Sequence, residues 1–113
     1  MIKLVSIIIP VFNEVDAIGK LVENTQNLSN LDSNFEYEII IVDDGSTDGT
    51  GSTLKEVQRT NKNLHIVSLA RNYGQSTALQ AGFDHSTGDV LITMDGDLQN
   101  DPTDIPKIID VLK

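Results

Sequence analysis

Two carboxylates and an amide oxygen stand close together in Val90-Leu-Ile-Thr-Met-Asp95-Gly96-Asp97-Leu98-Gln99-Asn100-Asp101-Pro102. Successive side chains of a β-strand point to opposite faces, so Asp95 and Asp97 share a face if the strand persists, roughly 7 Å apart. Gly96 between them lets the backbone bend and bring both carboxylates onto one hard cation. Gln99 offers a neutral oxygen to the same place. Mg2+ or Mn2+ accepts such a partial shell and keeps positions for water and phosphate. A bare Asp-x-Asp is common, but at the carboxyl end of a buried strand it lies where ligands of open α/β sheets bind.

The elements that must position this pair are legible as alternating apolar runs and helical stripes. Leu4 to Val11 is β-branched and nearly continuous, which predicts a strand buried on both faces of a parallel sheet. Ile18, Leu21, Val22, Thr25 and Leu28 give a helical stripe, with Asn13 or Asp16 available as its cap. A second strand runs from about Tyr37 to Val42 and ends in Asp43-Asp44-Gly45-Ser46-Thr47-Asp48, a loop feeding a helix from about Gly51 to Thr60. Leu64 to Leu69 reads as a third strand, Arg71 to Gly74 as a turn, Ser76 to His85 as a helix, and Val90 to Met94 as the fourth strand. Fourfold strand–helix alternation predicts a Rossmann-like α/β fold: a parallel sheet with right-handed crossovers and helices on both faces.

In strand order 3-2-1-4, three sequence-distant polar loops meet at one crevice. Asn13-Glu14 would face Asp95 and Asp97, with Asp43 to Asp48 lining the same edge. Six carboxylates crowded there repel one another and raise their own pKa values unless something positive sits among them. A phosphate ligand would need a divalent cation as a bridge. The expected division puts Asp43 on a base and Asp95, Asp97 and Gln99 on the metal and sugar side. Arg71 is the nearby cation, available to a phosphate or to one of the carboxylates.

Composition removes several classes. The 113 residues fit one domain, and a net charge of −9 with only eight scattered Lys and Arg argues against nucleic acid as a partner. With no cysteine there is neither a disulfide framework nor a thiolate metal site. Val5 to Phe12 is the longest apolar stretch, too short for a membrane span, so a cytoplasmic chain is expected. Pro102, Ile105, Ile108, Ile109 and Leu112 keep helical spacing up to the last residue, which predicts a domain truncated at its C-terminus.

Ser6-Ile-Ile-Ile-Pro10-Val-Phe-Asn13-Glu14, Val42-Asp43-Asp44-Gly45-Ser46-x-Asp48 and Met94-Asp95-Gly96-Asp97 together resemble the inverting family-2 glycosyltransferases of the GT-A fold. Arg71-Asn72-x-Gly74-x-x-x-Ala78-x-x-x-Gly82 with Asp95-x-Asp97-Leu98-Gln99-x-x-Pro102 is similar, within that family, to the dolichol-phosphate mannosyltransferase and bacterial polyprenyl-phosphate glycosyltransferase branch. The resemblance spans the chain. It implies nucleotide contacts at Pro10, Asn13, Glu14, Asp43 and Asp95, and a Mg2+ or Mn2+ site at Asp95, Asp97 and Gln99, with Asp95 and Asp97 catalytic. Asp44, Ser46 and Arg71 join the nucleotide-binding candidates, with turn-forming, helix-capping or ion-pairing roles as their plain alternatives.

The implied reaction moves a hexose from a UDP- or GDP-linked sugar to a polyprenyl phosphate, with inversion, at the cytoplasmic face of a membrane. This chain would be the donor-binding half, inactive or nearly so by itself, and a missing half would leave apolar surface open to homo-oligomerisation. Two other readings stand beside it: a family-2 enzyme with a polysaccharide or other glycan acceptor, and a non-catalytic nucleotide-sugar module. A receiver-like domain would need an acceptor aspartate after the third strand and a lysine after the fifth, and the chain supplies neither.

Overall fold

The computed structural model describes residues 4–31 and 35–94. Asp95, Asp97, Gln99 and the helical spacing of residues 102–112 lie outside them. In chain order the elements are β1 (Leu4–Val11), α1 (Ile18–Leu31), β2 (Glu36–Asp43), α2 (Thr50–Gln58), β3 (Leu64–Ser68), α3 (Gln75–His85) and β4 (Val90–Thr93). The four strands form one sheet in the order β3-β2-β1-β4. Every described pairing is parallel: Leu4↔Glu36 through Val11↔Asp43, Ile39↔Leu64 through Asp43↔Ser68, and Val5↔Val90 through Ile8↔Thr93. The expected order is found. The ends move slightly: α2 starts at Thr50 and stops at Gln58, where the Arg59 and Thr60 amides turn back to Glu56 O and Val57 O and close the last turn three residues back.

Strand periodicity splits the core into two layers. Val5, Ile7, Ile9 and Val11 alternate with Ile8 along β1, and Tyr37, Ile39 and Ile41 alternate with Ile40 and Val42 along β2, all buried. The first set packs with Ile18, Leu21 and Val22 of α1 and Leu54 of α2. The second set packs with Ala78, and with Leu79 and Ala81, of α3. The chain therefore changes sides of the sheet after β3, which is what brings β4 next to β1. α3 sits close on its face because it presents small residues. A Cβ on Gly82 would fall inside contact with Ile8 Cγ2 and 3.3 Å from Val42 Cγ2.

The start of β4 is fixed by a buried acid that the sequence reading did not single out. Glu38, 8% exposed on β2, accepts from the Ser6 hydroxyl, the Thr87 amide (2.8 Å) and the Thr87 hydroxyl (3.2 Å). Ser6 Oγ in turn accepts from the Gly88 amide at 2.8 Å, and His65 Nε2 stands 3.9 Å from Glu38. Burial pushes the Glu38 carboxyl up, but the Ser6 and Thr87 bonds and the imidazole outweigh it and hold the group below its ordinary value.

A depressed folded-state pKa gives stability that is complete above the unfolded glutamate value, about 4.3, and lost as pH falls through the folded value. Thermal denaturation between neutral pH and pH about 3 checks this. The wild-type chain should lose stability through that window more steeply than Glu38→Gln, whereas parallel curves would contradict the network.

Candidate active site

Parallel pairing sends the carboxyl ends of all four strands to one edge of the sheet, and the loops leaving β1, β2 and β3 are tied together there. Asn13 adopts φ 52°, a left-handed conformation that asparagine tolerates better than most residues. Its amide donates to Ser46 Oγ at 2.8 Å, and its Oδ1 accepts from the Thr47 amide at 2.9 Å. The Glu14 amide donates to Thr50 Oγ1 (3.0 Å) and the Val15 amide to Asp48 Oδ2 (3.2 Å). Asn13 is thus a bridge between loops rather than the cap considered for α1; the turn before that helix is closed by Glu14 O, which accepts from Ala17 and Ile18 at 3.0 Å. Asn13→Ala loses the bridge and strains the backbone, for about 1–2 kcal/mol in a urea melt. Asn13→Gly keeps the conformation and should recover part of it.

The carboxylates of the second loop are all held by N–H or O–H donors. Asp43 is 6% exposed; its Oδ1 accepts from the Ser46 amide at 3.0 Å, and its Oδ2 lies beside Gly51 at the start of α2. Asp44 is 4% exposed and accepts from the Tyr73 amide (2.8 Å), the Gly74 amide (3.0 Å) and Asn72 Nδ2 (3.0 Å). Asp48 accepts from the Thr50 amide (3.0 Å) and hydroxyl (2.5 Å).

The expectation that crowding raises these pKa values does not hold at Asp48. The Thr50 hydroxyl first, then the Thr50 and Val15 amides, keep its carboxyl below the ordinary aspartate range. A hydroxyl and backbone N–H dipoles supply the positive ends that no cationic side chain provides here.

Pro10 lies at the end of β1, paired in register with Val42. Arg71 is exposed and carries its guanidinium over the Tyr73 ring, 5.0 Å from the centroid, a cation–π geometry. Pro10, Asn13, Glu14, Asp43, Asp44, Ser46 and Arg71 therefore belong to one connected set of loops, while Asp95, Asp97 and Gln99 fall outside the described residues. Among the described residues, no three His, Cys, Asp or Glu side chains are placed to hold a metal ion. Every buried side-chain nitrogen or oxygen there has a hydrogen-bond partner, and no helix is long and apolar enough to cross a membrane.

Thr50, Asn72 and Tyr73 carry the ties that sequence reading missed. The Asp48-Gly49-Thr50 spacing, with an aspartate accepting from the amide two residues on, is the one local signal that points to them.

The family model for glycosyl transferase family 2 matches residues 6–113. The chain belongs to that family. Its parallel sheet with helices on both faces is the Rossmann-like, nucleotide-binding half of a GT-A fold, and the resemblance read from the sequence holds at family level.

The family-2 chain is similar to the mannosyltransferase PcManGT from Pyrobaculum calidifontis, solved in complex with GDP-Man and Mn2+. That match has 28% identity and a TM-score of 0.73, and covers 82% of this chain and 27% of that one. It is also similar to S. aureus TarS 1-349 in complex with UDP-GlcNAc, at 27% identity and a TM-score of 0.73, covering 96% of this chain and 30% of that one. A third match, S. aureus TarS, has 27% identity and a TM-score of 0.69 and covers 84% of this chain. The family-2 chain spans 16% of that protein's length, and under a third of each of the other two.

Proposed function

We propose that this chain is the donor-binding part of an inverting glycosyltransferase that moves a hexose from a nucleotide-diphosphate sugar to a polyprenyl phosphate. The observation that carries the donor site is the bonding of three strand-end loops into one preformed edge, with Asn13–Ser46, Val15–Asp48 and Asp44–Gly74 as its ties. A rigid cradle binds without paying for the ordering of its loops.

In this reading Asp43 accepts from the base. Pro10, Asn13, Glu14 and Ser46 line the nucleoside, and Arg71 meets the diphosphate. Asp95, Asp97 and Gln99, a hard oxygen donor set, would hold Mg2+ or Mn2+, with Asp95 also touching the nucleotide. The bound cation supplies Lewis-acid stabilisation of negative charge on the departing diphosphate. Nucleotide sugars in two similar structures and Mn2+ in one support the donor class.

The polyprenyl acceptor is supported by the Arg71-Asn72-x-Gly74-x-x-x-Ala78-x-x-x-Gly82 run with Leu98-Gln99. An acceptor phosphate oxygen is already anionic and needs no strong protein base. Such an acceptor would place the whole protein at the cytoplasmic face of a membrane. The test is transfer of labelled sugar by the full-length protein in the presence of undecaprenyl phosphate or a soluble glycan. Label extracted into organic solvent with the lipid is the expected result. Label confined to the glycan would overturn the acceptor and leave the donor site standing.

A further inference from the structure

We infer that Asp44 is a positioning residue: it seats the loop 71–74 across the sheet edge and so sets where Arg71 stands. The inference rests on the donor-site reading above and deepens it. Asp44 lies at the end of β2 with 4% exposure, and its two carboxylate oxygens are both engaged. Oδ1 accepts from the Tyr73 amide, and Oδ2 from the Gly74 amide and Asn72 Nδ2, at 2.8–3.0 Å. Its carbonyl accepts a second contact from Asn72 Nδ2 at 3.2 Å, and its amide donates to Val11 O at 2.9 Å. One residue thus joins the end of β1, the end of β2 and the β3–α3 loop.

The next residue completes the seat, because the Arg71–Asn72 backbone lies directly over the Cα of Gly45. Arg71 and Tyr73 are themselves exposed, so solvent-facing side chains rest on an immobilised backbone. Fixing the Tyr73 amide fixes the backbone from which the ring projects, and the ring beneath the guanidinium narrows the arcs open to Arg71. An anionic Asp44 beside a phosphate would repel it. With its oxygens turned onto amides it orients a cation toward that phosphate instead. Asp44 therefore acts through Arg71 and is not a nucleotide ligand.

A double-mutant cycle on the full chain, read by NMR titration in Mg2+ with UDP, GDP and the two free nucleosides, tests this. Asp44→Ala should weaken the preferred nucleoside diphosphate about tenfold and leave the nucleoside unchanged, as should Arg71→Ala. In the Arg71→Ala background, Asp44→Ala should add almost nothing, although the Tyr73 and Gly74 amides exchange faster in both backgrounds.

Equal losses for nucleoside and diphosphate, independent losses that multiply, or no loss at all would overturn the inference while nucleotide binding itself persists. Failure of the wild-type chain to bind either diphosphate would overturn the donor-site reading and this inference with it. Should Asp44→Ala not fold, Asp44→Asn runs the same cycle. It keeps the side-chain shape but sets an amide NH2 against at least the Tyr73 amide, and losses in the same direction, though smaller, are expected.

Discussion

Gly45→Ala should lower stability by about 3 kcal/mol and release the loop that carries Arg71. Two costs combine. Gly45 has φ +72°, a conformation that costs an L-residue roughly 1 kcal/mol or more. The new methyl would also lie 2.6 Å from Arg71 Cα and closer still to the Arg71 carbonyl carbon and the Asn72 nitrogen. These are backbone atoms, so no rotamer change relieves the clash. The loop must lift, and lifting breaks the bonds from Asn72, Tyr73 and Gly74 to Asp44.

Urea denaturation measures the loss, and nucleotide affinity should fall with it. Gly19→Ala is the control: a Cβ there meets nothing within 4 Å, and an exposed helical glycine replaced by alanine should gain up to about 1 kcal/mol. Equal stabilities for the two variants would contradict the close approach at Gly45.

Asp43→Ala should weaken nucleoside diphosphate binding by roughly 10- to 100-fold, the worth of a hydrogen bond to a charged group. With Oδ1 held by the Ser46 amide, the carboxylate is aimed before any ligand arrives. The same tie makes the substitution felt in stability, since the Ser46 amide loses its acceptor and the Asn13–Ser46 bridge loosens with it. Asp43→Asn separates the effects. It can keep an acceptor for Ser46 and most of the stability, but it lacks the charge. Affinity is read by calorimetry and stability by thermal melt. A variant that melts normally and binds as the wild type does would remove Asp43 from the base contact.

The sheet was legible because its information is local and periodic. The β-branched run of Leu4–Val11 matches β1 to the residue, and strand–helix alternation with right-handed crossovers was enough for the order β3-β2-β1-β4. Parallel order then carried the meeting of the loops with it. What escaped was every tie whose partners lie far apart in the chain.

Asn13 resembled a helix cap because its role depends on Ser46 and Thr47, over thirty residues on. Asp44 was read as a nucleotide-binding candidate with a turn-forming alternative, and its tie to the 71–74 loop escaped because those partners belong to the next crossover. Glu38 sat in an apolar run as an ordinary strand residue, and its burial is created by Thr87 and Ser6. Loop carboxylates were expected to repel because counting charges omits uncharged donors, and at Asp48 the Thr50 hydroxyl first, with the Thr50 and Val15 amides after it, decides the outcome.

The measurement that bears most directly on the donor site is calorimetric titration of UDP and GDP into this chain, with Mn2+ and with EDTA, repeated on Asp97→Ala. One of the two nucleotides should bind in Mn2+, and EDTA or Asp97→Ala should abolish most of that binding. Binding that is unchanged by EDTA and by the substitution, or no binding of either nucleotide by the wild-type chain, would contradict the donor-site reading.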